Sequence, residues 1–235
     1  QTDAPYVMFC DQDDVWLPDK IEVTLQKMLE LEKQYGKETP ILIHTDLTVV
    51  DDALHTIDKS FWVSQKLNPD YRSLNRLLMQ NNATGCTMMV NRALLNNALP
   101  VPGEAMMHDW WLALVAAKFG QIGVVPNATV LYRQHSGNYL GAVKRNLCKE
   151  ARKFFSLHER RVAVNEYEIL FARIRQQAGA FLERYGERLN LDDRKMVKIF
   201  TLLPEKNFFM RRYYTIKYGF FYADPILNLG RFLFR

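Results

Sequence analysis

The sequence has 235 residues, of which 48% are apolar and 24% charged, with a formal net charge of +5. That suits one medium domain, or one domain with a helical appendage. Cys10, Cys86 and Cys148 are too few and too scattered for a disulfide framework or a CxxC metal site, and are expected to be reduced core residues of a cytoplasmic protein. No run of about 18 apolar residues exists, so no transmembrane helix is expected. No signal peptide opens the chain. The first residue is Gln1, and the first strong element follows within a few residues, which marks the chain as a fragment or a late-starting gene product.

Residues 6–10 form a short unbroken apolar run ending in acids. The pattern predicts a strand buried on both faces, as in a parallel sheet covered by helices. Asp11-Gln-Asp-Asp14 then falls at the strand's C-terminal end, where open α/β sheets bind ligands. Pro18 is placed as a first-turn helix residue. Ile21, Leu25, Met28 and Leu29 follow at helical spacing, and Gly36 is the expected stop. Residues 41–45 predict a second buried strand, with 47–50 as a third or as its continuation. Residues 71–79 predict a helix with Leu74, Leu77 and Leu78 on one side. Asn81-Asn-Ala-Thr-Gly85 is a breaker cluster and reads as a loop. Residues 86–90 predict a strand, and 91–98 a short helix stopped by Pro100 and Pro102. Residues 109–119 predict a helix closed by Gly120. Two strands, 121–125 and 129–132, are expected on either side of Pro126-Asn127, followed by the polar loop Arg133-Gln-His-Ser-Gly-Asn138.

After about Ala142 strand signals stop, and helical stretches rich in Arg and Glu take over (157–185 and 192–203). The expected division is therefore 1–141 for an α/β domain and 142–235 for a helical extension. Residues 204–235 carry six basic residues (Lys206, Arg211, Arg212, Lys217, Arg231, Arg235) against Glu205 and Asp224. They also carry eight aromatics: Phe208, Phe209, Tyr213, Tyr214, Tyr218, Phe220, Phe221 and Tyr222. Rings interleaved with cations suit a membrane interface with anionic headgroups. A helix that packs its aromatics on the domain and leaves its cations in water would look the same. The basic residues form no dense run and no nucleic-acid motif is present, so nucleic acid is not an expected partner.

Asp11, Asp13 and Asp14 crowd three carboxylates into four residues, which is self-repulsive unless a cation compensates. Mg²⁺ takes one or two carboxylates plus substrate phosphate oxygens, so this pattern at a strand end suits a diphosphate–metal clamp. The bland alternative is that Asp14 caps the following helix and Asp11 ends the strand. An EF-hand is excluded, because Trp16 stands where its loop needs Gly and Val15 where it needs an oxygen ligand. Asp109 lies at a loop–helix junction in His108-Asp-Trp-Trp111. The helix dipole favours an acid there, and a functional acid facing a substrate is the other reading. Trp110 and Trp111 are core residues by default, or one of them stacks on a sugar face. His135 lies in a polar loop after a strand. His44, His55 and His158 show no partner pattern.

Tyr6-Val-Met-Phe-Cys-Asp-Gln-Asp-Asp-Val-Trp-Leu-Pro-Asp-Lys-Ile21 resembles the metal-motif segment of bacterial family 2 glycosyltransferases, nearest to the rhamnosyltransferase-like members that build surface polysaccharide. Three more blocks agree in order and spacing. Asn82-Ala-Thr-Gly-Cys-Thr-Met-Met-Val-Asn-Arg92 resembles the segment lining the acceptor side, through Gly85, Cys86 and Thr87. Met107-His-Asp-Trp-Trp-Leu-Ala-Leu114 resembles the block bearing the catalytic base. Leu131-Tyr-Arg-Gln-His-Ser-Gly-Asn138 resembles the block that closes over the donor diphosphate, through Arg133 and Gln134. The resemblance covers a little over half the chain.

The resemblance implies a GT-A-like fold, a mostly parallel sheet with helices on both faces. It implies an inverting transfer of a sugar (rhamnose in the resembling subgroup, from dTDP-rhamnose) from a nucleotide-sugar donor to a saccharide or lipid-linked acceptor. Mg²⁺ or Mn²⁺ would be held by Asp13, with Asp11 as partner acid and His135 completing the contacts. Asp109 would be the base, and Asp14, Trp16, His108 and Trp110 would contact substrate. Many family members carry an acid before the base; here His108 stands there, as in the rhamnosyltransferase-like subgroup. The family's domain also has an earlier strand, a nucleotide-binding loop and an acidic base-reading segment, with no counterpart ahead of Tyr6. The expectation is therefore the C-terminal part of such an enzyme, cytoplasmic or peripheral at the inner face of the membrane. The alternative is an inactive fragment serving as a membrane-peripheral or structural module.

Overall fold

The structure, a computed structural model, describes residues 3–134 and 157–234, with side chains throughout except at 157–165 and 230–234. His135, Cys148 and the expected boundary near Ala142 lie outside the described residues. The fold is α/β. Its sheet runs in the order β1 (Tyr6–Met8), β5 (Met89–Asn91), β3 (Ile41–Val50), β6 (Gln121–Arg133), β2 (Val15–Trp16), with β4 (Thr56–Asp58) also on β3.

The expected mostly parallel sheet is not what forms. Only β3 and β6 run parallel; the pairs β1–β5, β3–β5, β3–β4 and β2–β6 are antiparallel. An apolar run encodes burial, not direction, so the sequence pattern could not separate the two. The centre keeps the expected character, since nine of the ten positions of β3 are buried. β1 does not. It pairs only with β5 among the described residues and is half-buried along its length, as an edge strand is.

The parallel pair carries a second departure. Pro126 and Asn127 do not divide two strands. β6 continues through them, and its register on β3 passes from Thr45–Val125 to Asp46–Ala128. The two extra residues are exposed and bulge out of the ladder, where a missing proline N–H costs nothing.

The helices cover the sheet. α1 (Lys20–Tyr35) is closed by Gly36 at φ +92°, a conformation that favours glycine. Its buried side is Lys20, Thr24, Met28, Leu31 and Glu32, with Leu25 partly buried against the same cluster, while Ile21 and Leu29 face water, so the apolar spacing held at Leu25 and Met28 and failed at Ile21 and Leu29. α2 (Phe61–Ser64) is a single turn. α3 (Leu74–Met79) buries Leu74, Leu77 and Leu78 as expected. α4 (Arg92–Ala98) is capped by the Asn91 side chain, which accepts from Leu94 N–H.

α5 (His108–Phe119) is buried on every side from Asp109 to Ala116, as a central helix must be. Its two indoles fix its position. Trp110 Nε1 donates to the Leu77 carbonyl at 2.6 Å and Trp111 Nε1 to the Ala98 carbonyl at 2.9 Å. Each satisfies a carbonyl near the C-terminal end of a neighbouring helix.

The later helices, α6 (Leu157–Tyr185), α7 (Leu191–Thr201), α8 (Phe208–Tyr218) and α9 (Pro225–Phe234), build no separate core. Phe171, Phe181, Tyr185, Phe200 and Phe220 belong to the same apolar cluster as Trp111, Leu77 and Val90. Arg184 donates to the carbonyls of Ala98, Leu99 and Pro100. No described helix is long and apolar enough to cross a membrane.

Where α5 ends, Gly120 lets β6 start hard against the chain at Pro40. A Cβ at Gly120 would lie 1.7 Å from the Pro40 carbonyl oxygen, and that oxygen already accepts from Gln121 N–H. Gly120→Ala is therefore expected to lower unfolding free energy by about 3 kcal/mol, read by denaturant titration, while Gly103→Ala, with open space around it, leaves it near wild type.

Candidate active site

Four segments far apart in sequence meet beside the C-terminal end of β1. The meeting point is a 3₁₀ turn at Gly85–Thr87. Gly85 N–H donates to Asp109 Oδ2 at 3.0 Å, and Trp110 N–H donates to Asp109 Oδ1 at 2.6 Å. Both carboxylate oxygens of Asp109 are thus held, at the first turn of a helix whose dipole favours an anion. Burial raises the Asp109 pKa above the ordinary carboxylate value, and the nearby negative charge of Asp11 adds to the rise, against the opposing pull of His108 and the two amides. Gly85 is needed for its small size. A Cβ there would sit 3.1 Å from His108 Nε2 and 3.5 Å from Asp109 Oδ2. His108 itself is exposed, with its ring 5.0 Å from that of Phe9.

The acidic motif comes in from the other side. Among the described residues, Asp11, Asp14 and Cys86 offer ligand atoms that all lie within 4.8 Å of one another. Asp13, the expected first ligand, is not among the three. Its backbone carbonyl accepts from Arg133 Nε at 3.0 Å. Asp14 does not cap α1. Asp19 holds that position without a side-chain bond, and Asp14 Oδ1 accepts from Arg133 N–H at 3.1 Å. Asp14 Oδ2 is buried and without a hydrogen-bond partner. Burial is the main cause that raises the Asp14 pKa; the Arg133 amide and Cys86 oppose it, and the charges of Asp11 and Asp13 reinforce it. The Cys86 thiol is pushed far above its ordinary pKa by burial and then by the charges of Asp14 and Asp11, so it stays protonated. Cys10, expected in the core, is exposed, because the chain has left the sheet edge by that point.

Arg133 ties the end of β6 to this motif, and its Nη1 also reaches the Asp52 carbonyl at 2.5 Å. Gln134 N–H continues the ladder to Val50 O at 2.9 Å. Thr87 and Trp110 are buried, with polar groups bonded to the Thr84 and Leu77 carbonyls. Neither presents that group to a ligand; they shape the turn and seat α5. The same burial removes Trp110 and Trp111 as sugar-stacking surfaces. Trp16 is half-buried in β2, with the Lys20 ammonium 4.5 Å from its ring centroid.

Lys20 escaped the sequence reading. Its side chain is fully buried and its Nζ donates to the Cys86 carbonyl. Burial lowers its pKa to about 8, against the attraction of Cys86, Cys10 and Asp14. One signal was available: a lysine in the first turn of a helix opposes the helix dipole, so a second reason must hold it there. His44, which shows no partner pattern in the sequence, is the other buried ionisable side chain of note. It is fully buried, its ring nitrogens have no partners, and burial followed by the charge of Arg72 takes its pKa down to about 3. It packs edge-on to Trp62 at 5.4 Å as a neutral ring. A separate cavity of about 610 Å³ is lined by Asp46, Ser60, Trp62, Asp70 and Arg72, among others. None of the site residues expected from the sequence lines it. The Asp46 carboxylate there is engaged with Ser60 Oγ and the amides of Leu47, Phe61 and Trp62.

No family model, curated protein or solved structure matches the chain.

A test of the buried cation follows from its sign. Lys20 has a folded pKa below its unfolded value of 10.5. Between about 8 and 10.5 the unfolded chain holds a proton that the folded chain has lost, so stability rises with pH across that window. The stability of wild type relative to Lys20→Met is expected to increase from pH 7 to pH 10 in paired chemical denaturations. A constant difference would mean that Lys20 keeps an ordinary pKa.

Proposed function

We propose that the chain is the catalytic part of a metal-dependent, GT-A-type family 2 glycosyltransferase that moves a sugar from a nucleotide diphosphate to a saccharide or lipid-linked acceptor. One observation carries the reading. The four segments that resemble that family are linked in one chain of contacts: Gly85 N–H donates to the buried Asp109, the charge of Asp11 acts on Asp109, and Asp14, which lies with Asp11 and Cys86, accepts from Arg133 N–H.

The donor set suits a hard divalent cation. Asp14 Oδ2 is a buried carboxylate oxygen with no partner, and the Asp11 carboxylate is close by. Carboxylate oxygens are what Mg²⁺ and Mn²⁺ select, whereas a protonated thiol such as Cys86 is a poor ligand for them. Asp11 and Asp14 are therefore the described residues that would hold the ion; Asp13 and His135 enter through the resemblance alone. When bound, such an ion neutralises the departing diphosphate as Lewis acid and template. Arg133 holds the acidic motif to the end of β6 through its amide and guanidinium.

Asp109 has the properties of a base for the acceptor hydroxyl. It is fixed by two amides, and its raised pKa brings it nearer to neutral pH, where proton abstraction is most effective. Rhamnose as the transferred sugar, and dTDP-rhamnose as the donor, rest on the subgroup resemblance.

The decisive assay incubates the protein with a panel of nucleotide sugars and saccharide acceptors, with and without Mg²⁺ or Mn²⁺, and follows release of the nucleoside diphosphate. Asp109→Asn is expected to reduce turnover by about 10²–10⁴-fold with donor binding nearly intact. The acid limb of the wild-type pH–rate profile is expected above the ordinary carboxylate value of 3.8, since only the ionised group is a base. Full activity in Asp109→Asn rejects the assignment. Asp11→Ala combined with Asp14→Ala is expected to abolish stimulation by the metal along with transfer; metal-stimulated transfer in that variant rejects the clamp.

A further inference from the structure

The C-terminal helices turn apolar side chains the wrong way for a protein that lives only in water. On α8, Phe209 is 78% exposed, Tyr213 51% and Ile216 61%. They stand at i, i+4 and i+7, so they share an arc of about 60° on one helix face. The opposite face is the one that packs, with Thr215 buried.

This orientation is held firmly. Asn75 Nδ2 donates to the Tyr218 carbonyl at 2.8 Å, Phe220 is fully buried just beyond the helix, and Lys66 pairs with the buried Asp224 at 3.3 Å. Gly219 closes the helix in the left-handed region. The exposed stripe is thus a consequence of anchoring rather than of loose packing.

Cations flank the stripe. Arg212 lies over the Phe208 ring, 3.2 Å from its centroid, and Lys217 lies 5.6 Å from the Tyr213 ring centroid. At 100° per residue these two fall on either side of Phe209–Tyr213–Ile216. The hydroxyl of Tyr213 and the neighbouring phenols hold the Lys217 pKa above its ordinary value, so the charge persists at any physiological pH. Ile226 and Leu229 of α9 are also exposed, at 64% and 59%.

We propose that this face of α8 docks on an anionic lipid bilayer surface. Apolar rings enter the headgroup–acyl boundary while cations on both flanks meet acidic headgroups. Charge complementarity favours this occupant over a second copy of the chain, because two such faces would bring like charges together. An aliphatic side chain at the centre of the stripe, Ile216, also suits acyl chains better than stacked bases. The inference stands independently of the proposed catalytic function.

Co-sedimentation of the full chain tests it, with vesicles of phosphatidylcholine alone and of phosphatidylcholine containing about a third phosphatidylglycerol. Binding is expected to the anionic vesicles, and to weaken as salt is raised. Arg212→Gln with Lys217→Gln is expected to lower the partition coefficient about twenty-five-fold, at about fivefold per basic residue. Phe209→Ser with Ile216→Ser is expected to lower it at least tenfold. Both pairs are surface changes, so circular dichroism and the melting temperature should match wild type. Absence of vesicle binding, equal binding to neutral vesicles, or binding unchanged in both double variants overturns the proposal. So does a concentration-dependent dimer that Phe209→Ser with Ile216→Ser dissolves while vesicles are ignored, which would assign the face to a second copy.

Discussion

A single short turn is held between two buried charges of opposite sign. The N–H of Gly85 points at the carboxylate of Asp109, and the carbonyl of the next residue, Cys86, receives the ammonium of Lys20. The peptide dipoles of the turn therefore line up between anion and cation, in an interior where such alignment is worth more than in water. The turn in turn sets the Cys86 thiol against Asp14. The first turn of α5, the first turn of α1 and the acidic motif are all located by this arrangement. A Cβ at position 85 would crowd the His108 ring, while its distance to Asp109 would be ordinary van der Waals contact.

The same two charges bear on the metal reading. Lys20 offsets part of the negative charge of Asp14 and of the group around it, yet its own hydrogen bond goes to a backbone carbonyl. One oxygen of Asp14 remains buried and unpartnered. Burial penalises the charged forms of Asp14 and Asp109, so a small hard cation beside Asp14 would favour its ionised form, while Lys20, itself a cation, would gain nothing from it.

How much of this was readable beforehand differed by kind of signal. Periodicity and breakers located β3, α3, α4 and α5, because those elements are buried on a regular pattern and are followed by turn-forming residues, Asp51-Asp52, Asn81-Asn82, Pro100 and Gly120 respectively. Strand direction was not readable, because an apolar run such as 6–10 is equally consistent with either direction and with an edge. Pro126-Asn127 read as a break because local signals do not reveal a bulge, which is defined by the partner strand. At the site, motif blocks picked out Asp11, Gly85, Asp109 and Arg133, which the fold does gather. They ranked Asp13 above Asp14 through the resemblance, whereas among the described residues it is Asp14 that lies with Asp11 and Cys86. Lys20 was missed for a different reason: its Nζ donates to a carbonyl 66 residues away in the chain, and no local pattern names that partner.

The shared aromatic cluster has a consequence for how the molecule can be divided. Trp111 packs against Phe181 and Tyr185 at 5.9 Å, and Phe119 against Tyr185 at 5.0 Å. The innermost helix of the α/β half thus has its roof supplied by the all-helical half. Shortening the chain to its strand-bearing portion would strip two aromatic neighbours from Trp111, the largest fully buried side chain, so that portion does not carry a closed interior of its own.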